Sequence, residues 1–128
     1  MSKTSFHILR VGLAITFLWI GILILKDPGA WGGFIAPWAM KLMPAPVEQM
    51  MVATAWLDIA IGALLLFDVL VWLGAILASV HLIMVLVVSG INDVTVRDIA
   101  ILAGTLVLFA ESIPAFIRDK FISPKLKK

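Results

Sequence analysis

The stretch that decides the fold is QMMVATAWLDIAIGALLLF, residues 49–67. It has nineteen residues and one formally charged side chain, Asp58, near its middle. At about 1.5 Å per residue, an apolar helix of this length is roughly what crossing a bilayer requires. A carboxylate at the centre of such a helix costs a few kcal/mol unless it faces protein, water or a partner. The sequence therefore predicts a membrane-spanning helix whose Asp58 is answered by another residue of the chain.

Composition supports a membrane protein along the whole chain. Of the 128 residues, 62% are hydrophobic and 14% are charged, and cysteine is absent. A soluble domain of this size cannot bury so much apolar surface, so we expect a single membrane domain over residues 1–128. The absence of cysteine excludes disulfides, iron–sulfur clusters and cysteine-based zinc sites in this chain. No basic run interleaved with aromatic residues indicates a nucleic-acid partner.

Three further apolar runs complete the predicted fold, an all-α, polytopic membrane protein with a four-transmembrane-helix up-down bundle. We expect helices over about 6–25, 49–67, 69–89 and 97–116, with a basic tail over 117–128. The long connection over 26–48 is broken by prolines and glycines and contains one short amphipathic helix, roughly over 34–43. Its tryptophans favour an anchored surface loop over the alternative, a lid above a site.

Basic residues are distributed unequally between the two predicted sides of the bundle. Seven lie on the side of the termini and three on the other side, which we call the outer side. The positive-inside rule then places both termini in the cytoplasm.

Asp58 and His81 are predicted to lie at a similar depth. Asp58 is about 15 Å, and His81 about 12 Å, from the outer ends of two helices joined by a very short turn. Because intramembrane carboxylates and histidines often bind ligands or relay protons, we interpret this pair, with the flanking Thr54, as a ligand-binding or proton-relay site. The alternative is a polar contact that only fixes helix packing.

Two other charged groups are predicted at the edges of the bundle. Arg10 and Glu111 both lie in the cytoplasmic third and are expected to form an intramembrane ion pair. Lys26, Arg97 and Asp98 are expected to form a cluster at the outer edge, where Asp98 also suits the helix dipole. The chain has no recognisable metal-ligand set, nucleophile motif or nucleotide fingerprint, so the sequence alone leaves open whether it is an enzyme.

Three motifs resemble the DoxX family of small four-helix membrane proteins, over about residues 8–112. They are LRVGLAITFLWIG with the following Lys26, LDIAIGALLL with Asp58 and Gly62, and VRDIAILAGTLVL with Arg97, Asp98 and Gly104. The family's acid in the second helix, usually glutamate, corresponds to Asp58. The basic residue that often follows that helix in the family is missing here.

The resemblance implies a plasma-membrane protein of a bacterium or archaeon. Some DoxX relatives are membrane subunits of thiosulfate:quinone oxidoreductases, and others associate with redox proteins. We therefore expect a quinone-interacting or accessory subunit of a membrane oxidoreductase, with a quinone as its possible cofactor and a redox partner subunit or a second copy of the chain as its partner. The alternatives are a small proton-linked transporter or channel and a structural scaffold subunit.

Overall fold

Four long helices form the bundle in the structure, a computed structural model that describes residues 1–122. They are α1 (Lys3–Lys26), α4 (Val47–Leu66), α5 (Val71–Ser89) and α6 (Val96–Ser112). The connection between α1 and α4 contains two short helices, α2 (Pro28–Gly32) and α3 (Pro37–Leu42). No strand occurs within residues 1–122. The chain is thus an all-α, polytopic membrane protein, as predicted.

Helices α1, α4 and α5 are each long and apolar enough to cross a membrane. Helix α6 has 17 residues and would span about 25 Å, slightly less than a typical hydrocarbon core. The helix predicted over 97–116 therefore ends early, at Ser112. Pro114 disfavours helical backbone at Ile113, which is extended, and the chain continues through α7 (Ala115–Ile117) and a π-helical turn (Arg118–Ile122) after a bend of 96°. Of the tail predicted over 117–128, residues 123–128 lie outside the described range.

Packing joins the helices in a ring. Helix α1 packs most extensively on α4, and α5 packs on α6, with smaller contacts between α4 and α5 and between α1 and α6. Leu13, Ala14 and Phe17 of α1 meet Ile61 and Leu65 of α4 in the core. Small α5 residues complete that core, so the backbones approach closely, as membrane helices need in order to pack without a hydrophobic driving force.

The bundle has two distinct ends. We call the end with the α1–α4 connection and residues 90–95 the loop end, and the end with residues 67–70 and 113–122 the turn end. At the loop end, α2 and α3 each begin with a proline, and the Ala36 amide donates a hydrogen bond to the Val88 carbonyl at 2.8 Å. At the turn end, Asp68 adopts a left-handed conformation (φ 57°), which aspartate tolerates better than most residues.

Candidate functional site: a buried carboxylate–histidine pair beside an apolar groove

Asp58 and His81 face each other inside the bundle. Nε2 of His81 lies 3.2 Å from Oδ1 of Asp58. The Asp58 side chain is 3% exposed and the His81 side chain 11% exposed. The two atoms are at ion-pair distance, but the imidazole N–H is not aligned for a hydrogen bond. Within residues 1–122, Asp58 Oδ1 is thus a buried oxygen without a hydrogen-bond donor.

Glycines on two helices give Asp58 its position. A Cβ at Gly21 of α1 would lie 3.3 Å from Asp58 Cβ and 2.9 Å from the Ala55 carbonyl oxygen. A Cβ at Gly62, one turn after Asp58, would meet Leu18 of α1 at 2.6 Å. The 2.9 Å and 2.6 Å contacts are shorter than a real Cβ atom allows. Helix α1 can therefore cover Asp58 only because Gly21 and Gly62 have no side chain.

An apolar groove opens beside the histidine. It has a volume of about 220 Å³ and lies between α4 and α5. His81 contributes the polar part of its wall, and the other lining residues are Leu57, Ile76, Leu77, Val80 and Met84. Val80 and Met84 are each more than half exposed on the outside of the bundle. The groove therefore faces the lipid and ends at a group that can hydrogen-bond.

Thr54 does not join the pair. Its hydroxyl donates a 3.0 Å hydrogen bond to the Met50 carbonyl of its own helix. Such back-bonding is the ordinary behaviour of threonine within a helix. The structure thus brings together two of the three residues predicted for the site, Asp58 and His81.

Asp98 lies in the first turn of α6, at the loop end of the bundle, and its side chain is half-buried. Lys26, Arg97 and Asp98, which were predicted to form a cluster at the outer edge, all lie at the loop end, and their grouping stays a prediction. Lys26 and Arg97 are exposed, and in the described part of the chain neither forms an ion pair with Asp98.

A second polar contact was not predicted from the sequence. The hydroxyls of Ser79 on α5 and Thr105 on α6 lie 2.8 Å apart and are almost completely buried. Each hydroxyl also lies within hydrogen-bond distance of a carbonyl of its own helix, Ala75 for Ser79 and Leu102 for Thr105, so one hydroxyl donates to its carbonyl while the other donates across the contact. The only signal in the sequence was a hydroxyl among small residues in each helix. This contact fixes the register of α5 against α6.

Arg10 marks the turn end, where the predicted Arg10–Glu111 ion pair is wrong. Nη1 of Arg10 donates to the carbonyls of Leu65 and Leu66, at 2.6 and 3.0 Å. Its Nε donates to His7 Nδ1 at 3.1 Å and lies 3.6 Å from Asp68 Oδ1. These carbonyls end α4 and carry the negative end of its dipole, and they lie within hydrogen-bond distance of the guanidinium. Glu111 on α6 lies beside the amino group of Met1 instead.

Glu111 has a different partner. It lies one residue before the end of α6 and is 3.7 Å from the amino group of Met1. Its side chain is 40% exposed, so this contact is a surface ion pair of small energetic weight. Within residues 1–122, no three histidine, aspartate or glutamate side chains converge to hold a metal ion.

Fold and site together define a small polytopic helical membrane protein with a carboxylate–histidine pair inside its bundle. The DoxX family model matches residues 5–91, well over half of the chain. The chain therefore belongs to the DoxX family, as predicted. The motifs in α1 and α4 lie within the matched residues, and the motif VRDIAILAGTLVL in α6 lies outside them. Searches of curated proteins and of solved structures find no significant match.

Proposed function

We propose that this protein is a quinone-interacting subunit of a membrane oxidoreductase. The observation that carries the proposal is the position of His81. It pairs with the buried carboxylate of Asp58 and also lines an apolar groove that opens to lipid. A quinone is an apolar, lipid-dissolved molecule with carbonyl oxygens that accept hydrogen bonds. A site that binds a quinone combines an apolar entry with a hydrogen-bond donor at its inner end.

The residues present fit a quinone ring. Asp58 Oδ1 is a buried acceptor that no hydrogen bond satisfies within the described residues, so the site can accept a further donor. The groove, at about 220 Å³, is smaller than the ~300–1,000 Å³ pockets that enclose drug-sized ligands. It suits a headgroup ring whose isoprenoid tail stays in the surrounding lipid.

Each residue of the pair has a distinct task in this proposal. A bound quinone supplies a two-electron, two-proton redox couple. His81 donates a hydrogen bond to a carbonyl of the ring and holds the proton to be exchanged there, because an imidazole can both donate and accept a proton. Asp58 orients the imidazole and stabilises its charged form. The apolar lining excludes water, which strengthens both interactions.

A redox partner is a requirement of this function. The chain contains no cysteine, and we assign no electron-carrying group to its own residues. Electrons would therefore pass between the quinone and a partner subunit that carries a redox centre. We further propose that the protein resides in the plasma membrane of a bacterium or archaeon, with both termini cytoplasmic, since most basic residues lie on that side.

The test is to fill the groove. Val80→Trp places an indole where the ring would lie, and Val87→Trp is the matched control. Val87 lies two turns further along α5 and is similarly exposed, but it does not line the groove. Quinone in organic extracts of gently purified protein is quantified by mass spectrometry. We expect Val80→Trp to lower it by at least about tenfold, equivalent to ~1.4 kcal/mol, and Val87→Trp to leave it unchanged. Equal quinone in both variants contradicts the proposal.

A structural scaffold is the second candidate, favoured by one observation. Asp58 lies next to Gly21, at a close contact of α1 with α4, where a polar residue can specify packing. A scaffold predicts no enriched quinone in the wild type. It also predicts that Asp58→Asn lowers the recovery of a partner without changing any bound ligand.

A further inference from the structure

Asp98 faces the interior of the bundle from its loop end. It precedes Thr105 by seven residues, close to two helical turns, so both side chains lie on one face of α6. Thr105 is fully buried and its hydroxyl contacts Ser79 of α5. The face of α6 that carries Asp98 is therefore the face packed against the rest of the bundle.

The Ser79–Thr105 contact gives the height of Asp98 relative to the buried pair. His81 lies two residues from Ser79 towards the loop end, or about 3 Å along the helix axis. Asp98 lies seven residues from Thr105 in the same direction, or about 10.5 Å. Because α5 and α6 run antiparallel and meet at this contact, Asp98 lies ~7.5 Å closer to the loop end than His81 does.

Packing of α6 on α5 places Asp98 on the side of the pair. Asp98 shares a face of α6 with Thr105, and that face packs against α5, the helix that carries His81. The other charged side chains at the loop end form no ion pair with it within residues 1–122; these are Lys26, Asp27, Lys41, Glu48, Asp93 and Arg97. Asp98 is itself only partly buried. It stands between the water at the loop end and a deeper carboxylate with an unpartnered oxygen.

We propose that Asp98 is the carboxylate through which the Asp58–His81 pair exchanges protons with the aqueous phase at the loop end. In one direction, protonated Asp98 gives its proton to the pair and takes another from water, and the reverse sequence releases a proton. The steps move protons only and consume no other reactant. The separation exceeds a hydrogen bond, so bridging water completes the path. The use of these protons in quinone chemistry rests on the proposed function, whereas the exchange itself is measurable without quinone.

The experiment follows protonation of the pair after a pH jump. Full-length protein is reconstituted in a lipid film, and infrared spectroscopy records the carboxyl band that Asp58→Asn removes. Asp98→Asn is compared with Asp93→Asn, which removes an exposed carboxylate in the adjoining turn. We expect Asp98→Asn to slow the response of the band at least about tenfold, Asp93→Asn to leave it unchanged and Asp98→Glu to retain most of the wild-type rate.

An unchanged rate in Asp98→Asn overturns the inference, and so does equal slowing in Asp93→Asn, which would indicate a general effect of surface charge. If Asp98→Asn does not yield folded protein, Asp98→Ser is measured with the same two criteria. Quinone content is determined on the same preparations. Slow exchange in Asp98→Asn together with no quinone in the wild type would retain the proton path and refute the quinone function. Wild-type rates in Asp98→Asn with quinone present would do the reverse.

Discussion

The two charged clusters of this bundle differ in how completely their polar atoms are partnered. At the turn end, the guanidinium of Arg10 donates hydrogen bonds to two carbonyls that end α4 and to a ring nitrogen of His7. It also lies at ion-pair distance from Asp68. In the middle of the bundle, Asp58 has one close contact, to His81, and an oxygen without a hydrogen-bond donor in the described residues. A cluster whose buried side-chain atoms all have hydrogen-bond partners stabilises a fold, whereas one with an unpartnered buried oxygen retains the capacity to bind. We therefore assign structure to the first and function to the second.

The largest effect on the free energy of unfolding is expected from removing Arg10 and with it the cluster at the turn end. Arg10→Met leaves the last carbonyls of α4 and the Asp68 carboxylate without their cation. We expect the free energy of unfolding to fall by about 3 kcal/mol, since buried acceptors lose charge-assisted hydrogen bonds. Unfolding in mixed micelles with increasing SDS measures this change. Arg97→Met is the control, because Arg97 is exposed and forms no ion pair within residues 1–122, and it should stay within about 0.5 kcal/mol of wild type.

The quinone content per folded molecule should be unchanged in Arg10→Met. A loss of quinone there, at unchanged stability, would reverse the roles that we assign to the two clusters.

A smaller effect is expected where α1 covers Asp58. Gly21→Ala places a methyl group 2.7 Å from Ile59 Cγ1 and 2.9 Å from a backbone carbonyl, so the helices must separate. We expect a loss of about 1–3 kcal/mol in the same unfolding assay. Gly12→Ala in the same helix meets nothing within 4 Å and should stabilise the protein by up to ~1 kcal/mol. Equal effects of the two substitutions would show that Gly21 is not needed for close packing.

The smallest effect on stability is expected at the pair itself. Asp58→Asn removes the attraction to His81 but also relieves a buried charge with an unsatisfied oxygen, and these two terms oppose each other. An imidazole, unlike a guanidinium, has a stable uncharged form, so the variant does not have to bury an isolated cation. We expect the free energy of unfolding to change by less than about 1 kcal/mol. A loss as large as that of Arg10→Met would instead make Asp58 a structural residue.

The long helices could be predicted from the sequence because uninterrupted apolar runs and prolines mark where membrane helices lie and break. Pro114 was visible, yet the last helix was predicted to continue through it. The approach of Asp58 to His81 was also predictable, since a very short turn forces their helices to be antiparallel neighbours and residue counting then gives depth.

Other contacts could not be read in the same way. Arg10 binds main-chain carbonyls at a helix end, and no residue type in the sequence marks those acceptors. The face of α6 that carries Asp98 could not be predicted, because residue counting gives depth but not helix rotation. Ser79 and Thr105 could equally have bonded only to their own helices, as membrane hydroxyls commonly do. Each of these contacts depends on how two helices rotate relative to each other, which short apolar motifs do not specify.

The most direct test of the central claim makes the pair apolar as a unit. In Asp58→Leu/His81→Phe no charge is left without its partner, so the bundle should remain folded. Quinone is quantified by mass spectrometry in extracts of this double variant and of the wild type. Near-stoichiometric quinone in the wild type and its absence in the double variant is the result that the account predicts. Equal quinone in the two proteins, or none in either, would contradict it.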